Sequence, residues 1–226
     1  MSHQTNITRI RAVNNALGDL RDDVVFVGGA TVSLYADRIA AEVRPTDDVD
    51  ILLEIVTRVQ FSQVDERLRA AGFKNDATAK FLGRYLLEGF VVDVMPMEES
   101  ILGFLNRWYV EGFRTAIEYP IDDQYPIKIF TAPYFIASKL EAFNARGKGD
   151  GRTSTDFEDI VFVLENRRFV WQEMKVANDT VRAFLLNEFK MLRANRYIRE
   201  WIDGHSSFYS PPGSYFILSD MDEFIL

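Results

Sequence analysis

Two aspartates one residue apart, Asp48 and Asp50, open an apolar run, and a third, Asp93, interrupts another, Val91-Val92-Asp93-Val94-Met95. Side chains alternate faces along a strand, so Asp48 and Asp50 project to one side while Val49, Ile51, Leu53 and Ile55 turn to the other. Two ionised carboxylates this close repel, and a shared cation resolves the repulsion. A solvated strand mouth would account for one aspartate; the pair, preceded by Arg44 and Thr46, asks for more. Asp93 also has a plain reading, an edge strand with its carboxylate in water. A buried carboxylate, by contrast, needs a partner. With its strand beside 48–55, Asp93 would complete an acidic trio suited to two Mg²⁺ (or Mn²⁺) ions about 4 Å apart. One ion would grip a triphosphate and the other activate an attacking hydroxyl.

Composition narrows the alternatives. The chain has no cysteine, which removes disulfides, thiolate–zinc clusters and a cysteine nucleophile. Its two histidines, His3 and His205, stand near opposite ends, a poor basis for a Ser–His or His-rich metal site. Metal chemistry here is therefore carboxylate chemistry with hard cations. Nearly half of the 226 residues are apolar, so the chain can build a real core. The net charge of −8 argues against broad nucleic-acid binding, although it is first of all a solubility feature. No apolar signal core opens the sequence and no run is long enough to span a bilayer, so no membrane contact and a cytoplasmic location are expected.

The elements that must position the aspartates follow from periodicity. Ile7, Ile10, Val13 and Leu17 form a helical stripe over 5–20. Val24-Val25-Phe26-Val27 reads as a buried strand broken by Gly28-Gly29. A helix of about three turns is predicted from Ala30, with Val32, Tyr35 or Ala36, and Ile39 inward. Its N-terminus, with backbone N–H groups unobstructed by Cβ atoms, is a natural place for a triphosphate. Most Gly-Gly turns are only turns, so the pair counts with the aspartates rather than alone. After a loop over 42–47 containing Pro45, a strand over 48–55 precedes a helix over 59–71 stopped by Gly72. Glu88-Gly89 between two apolar runs signals a β-hairpin. A helix over 98–110 and strands over 114–118 and 126–130 complete an α/β part. Beyond it, helices are predicted over 131–145, 155–166, 170–177 and 178–203, around a Gly-rich loop at 147–151. The tail carries Pro211-Pro212-Gly213. The expected division is an α/β core over 1–130 and a helical domain over 131–226.

Gly28-Gly29, Arg44-Pro45-Thr46-Asp47-Asp48-Val49-Asp50 and Val92-Asp93-Val94 together resemble the signature of the DNA-polymerase-β-like nucleotidyltransferases. The Arg-x-Thr-x-Asp-x-Asp spelling is similar to that of the AbiEii-type members, toxins of bacterial toxin–antitoxin and abortive-infection systems. Ala137-Ser138-Lys139-Leu140-Glu141-Ala142-Phe143 and Asp156-Phe157-Glu158-Asp159-Ile160 resemble further segments of that family, so the likeness spans about 24–165. It implies an α/β fold with a nucleotidyltransferase-like mixed sheet and flanking helices, followed by a helical C-terminal part. It implies Gly28, Gly29 and Thr31 on the triphosphate and Asp48 and Asp50 as metal ligands. Asp93 would be a third ligand and would activate the acceptor hydroxyl. Lys139 would contact nucleotide phosphate, and Asp156 would hold the lysine-bearing site together or touch the nucleotide. Two departures concern phosphate contacts: Gly-Gly replaces the commoner Gly-Ser, and Thr155 stands where arginine is common. The last 60 residues carry no such likeness. On the residues alone, Lys139 reads equally as a surface lysine, and Asp159 as a carboxylate favoured by a helix N-terminus.

The expected reaction is transfer of NMP from an NTP, with Mg²⁺ or Mn²⁺, to a hydroxyl of tRNA or another RNA, a protein or a small molecule. A toxin would have a cognate antitoxin as partner. Arg146, Lys148 and Arg152 are candidate acceptor contacts, although charges in such a loop are more often solvated. Asp-x-Asp is also the metal motif of nucleotide-sugar transferases, an alternative that leaves Asp93 and the glycine turn unexplained. The other alternative is a catalytically inactive module that binds a nucleotide or a partner, for instance through the tail 215–226.

Overall fold

The computed structural model describes residues 2–37, 43–121, 125–147, 149–206 and 213–226. Ile39, Lys148 and Pro211-Pro212, named above from the sequence, and the first residue of the loop over 42–47 lie outside the described residues. The chain divides into two compact units: residues 1–31 with 44–131, and 32–43 with 132–226.

The first unit begins with α1 (Ser2–Ala16). Its Ile10, Val13 and following Leu17 are buried as the stripe requires, and Asn6 joins them. A 3-10 turn (Gly18–Asp23) leads to β1 (Val24–Val27), buried along its whole length. Then follow β2 (Asp48–Leu53), α2 (Arg58–Ala70), β3 (Lys74–Asn75), β4 (Arg84–Leu87) and β5 (Phe90–Pro96). Short helices α3 (Glu99–Leu102) and α4 (Tyr109–Arg114) precede β6 (Ile117–Tyr119) and β7 (Ile127–Ile129). Among the described residues the strands make one seven-stranded sheet in the order β3-β4-β5-β2-β1-β7-β6. Pairs β2·β5 and β1·β7 are parallel and the rest antiparallel, so the sheet is mixed.

One face of this sheet is core: Phe26, Val49, Ile51, Val92, Val94 and Tyr85 are at most 1 % exposed. α2 is tied to that side, since the Tyr85 hydroxyl donates to Asp65 of α2 at 2.8 Å. Thr57 and Gln60 start α2 with a reciprocal capping box. The β4–β5 hairpin turns at Glu88 (φ 50°) and Gly89 (φ 91°), both left-handed, which matches the right-handed twist of its strands.

The second unit is helical: α5 (Ala132–Arg146), α6 (Thr155–Asn166), α7 (Val170–Lys175), α8 (Asp179–Ala194), α9 (Ile198–His205) and α10 (Gly213–Ile225). α5 is buried on almost every side, which fits its apolar composition. Ser154 caps α6 by accepting from the Phe157 N–H. Phe143, Phe157 and Trp201 form an aromatic cluster with centroids 5.3–6.0 Å apart. Gly151 sits under the indole; a Cβ there would come within 2.7 Å of it. None of the described helices is long and apolar enough to cross a membrane.

Four expectations need correction. The helix from Ala30 is instead a 3-10 helix, Gly29–Tyr35, in a Gly/Thr/Val/Ser segment of low α-propensity. The helix over 98–110 splits because Gly103 adopts φ 84° and its N–H closes α3 on the Glu99 carbonyl. The helix over 178–203 breaks at Asn195, whose side chain accepts from the Tyr197 N–H in competition with the helix. The strand over 114–118 starts instead at Ile117, because α4 runs to Arg114; the tail, for its part, is helical over Gly213–Ile225 and buries Ile217, Met221 and Phe224.

Trp201 is 3 % exposed in the aromatic cluster. Trp201→Ala is expected to destabilise the protein by about 3–5 kcal/mol. Urea titration should show a lower midpoint at an unchanged slope.

A three-aspartate site at the sheet centre

The site grows from strand register. Asp50 on β2 lies directly opposite Asp93 on β5, and Asp93 lies directly opposite Arg84 on β4. Residues directly opposite across adjacent strands share a face, and Asp48 joins them two residues along β2. Residue 93 therefore stands on the same side of the sheet as residues 48 and 50. One carboxylate oxygen from each aspartate lies within 4.8 Å of the other two. Asp93 is buried, with 5 % of its side chain exposed, whereas Asp48 is 40 % exposed, so the trio opens to solvent at the β2 end.

Local anchors set this geometry. Asn6 of α1 accepts hydrogen bonds from the Thr46 N–H and hydroxyl, and Arg9 donates to the Thr46 carbonyl. Thr46 is thus the strap that fixes the entry to β2. Gly28, which follows β1, has φ 73°, and a Cβ there would lie 2.7 Å from Asp50 Cγ and overlap its Oδ2. The glycine is needed for its backbone conformation and equally for the room it leaves Asp50. Thr31 is fully buried, and its hydroxyl donates to the Gly28 carbonyl at 2.9 Å, closing the turn.

Arg84 supplies a cation in contact with the trio. Its Nε and Nη2 donate to Asp93 Oδ1 and Oδ2 at 2.7 and 2.6 Å, and Nη2 lies 3.9 Å from Asp48. The hydrogen bonds to Asp93 raise the guanidinium pKa above its ordinary value. Burial opposes this, and the charges of Asp93, Asp48 and Asp50 add to it. In the sequence Arg84 stands four residues before the Glu88-Gly89 turn, with no local motif to mark it. The signal was present: a two-residue turn at Glu88-Gly89 pairs 87 with 90 and hence 84 with 93.

Lys139 and Asp156 belong to the helical unit, where they meet each other. Lys139 Nζ lies 3.3 Å from Asp156 and 2.6 Å from Asp159, and all three side chains are at least nine-tenths buried. Arg146 forks onto Asp156 at 2.7 and 2.8 Å. Asp159 is therefore a direct partner of Lys139 rather than only a helix-dipole residue; one turn after Asp156, it shares the same face of α6. Burial raises the Asp156 pKa, but the Arg146 hydrogen bonds and the charges of Lys139 and Arg146 outweigh it. The net shift is downward. Arg152 forks onto Asp150 and reaches Glu200 at 3.2 Å, so both described cations of the Gly-rich loop are engaged in ion pairs.

The donor set fits divalent cations of the Mg²⁺ class: three carboxylates converge from two strands, with no sulfur or imidazole. Arg84 takes one lone pair on each Asp93 oxygen and leaves others available. No protein-family model matches the chain, and no curated protein sequence matches it significantly. Among solved structures, the solution structure of the antibiotic-resistance factor ANT(2'')-Ia aligns with a TM-score of 0.51 at 13% identity. That alignment covers 85% of this chain and 96% of that one. A crystal structure of ANT(2'')-Ia with adenylyl-2''-tobramycin aligns at 0.47 and 13% identity over 83% of this chain and 98% of that one. The first alignment decides the architecture. This chain has a nucleotidyltransferase fold.

Gly28→Ala is expected to cost about 1–2 kcal/mol for its backbone strain alone and to displace the Asp50 carboxylate as well. Urea denaturation should register the first, and weakened Mn²⁺ binding the second. In the helical unit, Asp156→Asn is expected to destabilise the protein at neutral pH by roughly 3 kcal/mol, the low end for a broken buried pair, because Lys139 keeps Asp159. The folded pKa of Asp156 lies below the unfolded value of about 3.9. Its contribution is complete above that value and is lost as pH falls through the folded pKa. The stability gap between wild type and Asp156→Asn should therefore narrow below about pH 4.

Proposed function

We propose that this chain is a metal-dependent nucleotidyltransferase that moves NMP from an NTP to an acceptor hydroxyl. The observation that carries the reading is the in-register convergence of Asp48, Asp50 and Asp93 beside Gly28. The nucleotidyltransferase fold favours this over nucleotide-sugar transfer, which gives Asp93 and the glycine turn no part. An intact trio favours it over an inactive binding module.

Asp48 and Asp50 would hold Mg²⁺ at the open end of the site, with Asp93 as the buried third ligand. When bound, the ions would neutralise the triphosphate and polarise the attacked phosphate. Gly28 and Gly29 present backbone without side chains to the triphosphate, and Thr31 acts by closing their turn. Asp93 accepts the proton of the acceptor hydroxyl; the acceptor oxygen bonds to the α-phosphorus, the α–β bridging bond breaks and pyrophosphate leaves. For Lys139, held by Asp156 and Asp159, the family resemblance implies a phosphate-contacting role.

Both units hold more acidic than basic residues, a balance that opposes retention of a polyanion. Charge thus favours a small or cationic acceptor over tRNA or another RNA. AbiEii-type membership, a toxin role and a cognate antitoxin rest on the spelling 44–50 and on the segments around Lys139 and Asp156.

Incubation with each α-³²P-NTP, Mg²⁺ and separate pools of RNA, protein and small cationic hydroxyl compounds should label one pool. Asp48→Asn, Asp50→Asn and Asp93→Asn should each reduce transfer at least ~100-fold. Unchanged transfer in any of them would falsify the assignment of this site.

A further inference from the structure

We infer that Arg84 is a positioning residue and a built-in counter-cation: it fixes the Asp93 carboxylate for catalysis and, by its charge, loosens the site's hold on divalent ions. The inference rests on the proposed nucleotidyl transfer and concerns what this side chain does to the same site.

Three observations converge. First, Arg84 is delivered by the fold, being the direct cross-strand partner of Asp93. The start of β4 is pinned further by Val94, whose N–H donates to the Gly83 carbonyl at 2.7 Å. Gly83 also has no room for a Cβ against the Val94 carbonyl and the Phe81 ring. Second, the guanidinium engages both Asp93 oxygens at once while staying 3.9 Å from Asp48, so one charge serves two members of the trio. A bidentate fork fixes the plane of a carboxylate as well as its position. Third, the cation is braced from outside: its Cζ lies 5.5 Å from the Phe81 ring centroid, and Phe81 packs edge-on against Phe104 at 5.8 Å. Only 33 % of the Arg84 side chain is exposed.

The two effects have opposite signs. A positive charge within a few ångströms of the metal position repels a divalent ion, so its removal should tighten binding. The same removal frees the Asp93 carboxylate to rotate, and the proton acceptor loses its aim. A residue that merely supported the fold would weaken both when removed.

The test compares wild type, Arg84→Ala and Arg84→Lys as full-length protein, with folding checked by circular dichroism. Mn²⁺ is titrated without nucleotide and followed by the free-ion EPR signal; kcat and KM for NTP are measured separately. Arg84→Ala is expected to bind Mn²⁺ roughly tenfold more tightly while kcat falls at least ~10-fold and KM changes little. Arg84→Lys keeps the charge without the fork, so its Mn²⁺ affinity should stay near wild type while kcat remains low. Equal or weaker Mn²⁺ binding by a folded Arg84→Ala overturns the inference. So does full turnover in Arg84→Lys, which decides the matter if the alanine variant does not fold. A wild-type protein that binds no Mn²⁺ removes the nucleotidyltransferase reading itself, and this inference with it.

Discussion

Like charges placed side by side on neighbouring strands are the constraint around which the first unit is arranged. Parallel pairing puts Asp50 directly beside Asp93, an arrangement that opposes folding unless a cation is supplied. The antiparallel pairing of β4 with β5 supplies one, so a continuous row of charge crosses three strands. Around that row the fold is conservative. The opposite face is a dry aliphatic and aromatic layer, and α1 clamps the approach to β2 through Asn6 and Arg9. The apolar face supplies the hydrophobic stabilisation, and the acidic face is what that stabilisation sustains.

The helical unit shows the complementary solution. There two buried aspartates are matched by Lys139 and Arg146. A buried network of this kind contributes little net stability over an apolar core of equal volume, but breaking it is costly. Its consequence is conformational: Lys139 is held to one place by two carboxylates on one helix face, whatever it meets beyond them.

Much of this was legible in the sequence because strong local rules governed it. Alternation along 48–53 gave the shared face of Asp48 and Asp50, and the Glu88-Gly89 turn gave the hairpin. Helix α6 appeared at its observed bounds because Ser154 and the acidic first turn mark its start. What escaped depended on geometry that periodicity does not carry. The segment after Gly28 has an apolar stripe, but its residues favour a tighter coil than the α-helix. Asp159 looked like a dipole residue because Lys139 reaches it from a different helix, seventeen positions before Asp156 in sequence. Arg84 carries no local mark of its role, and its partner follows only from the pairing that the two-residue turn dictates.

That register carries a consequence for how such a site can change. Glu88 and Gly89 stand four positions along their strands from Arg84 and Asp93, yet the number of residues between β4 and β5 decides which side chain faces Asp93. Lengthening the turn by a single residue would present a neighbour of Arg84, Gly83 or Tyr85, in its place and turn the guanidinium toward the packed layer. The loop thus acts as a ruler for the electrostatics of a centre at the other end of the hairpin. Insertions there would act in whole steps, whereas substitutions elsewhere on the hairpin would act by degrees.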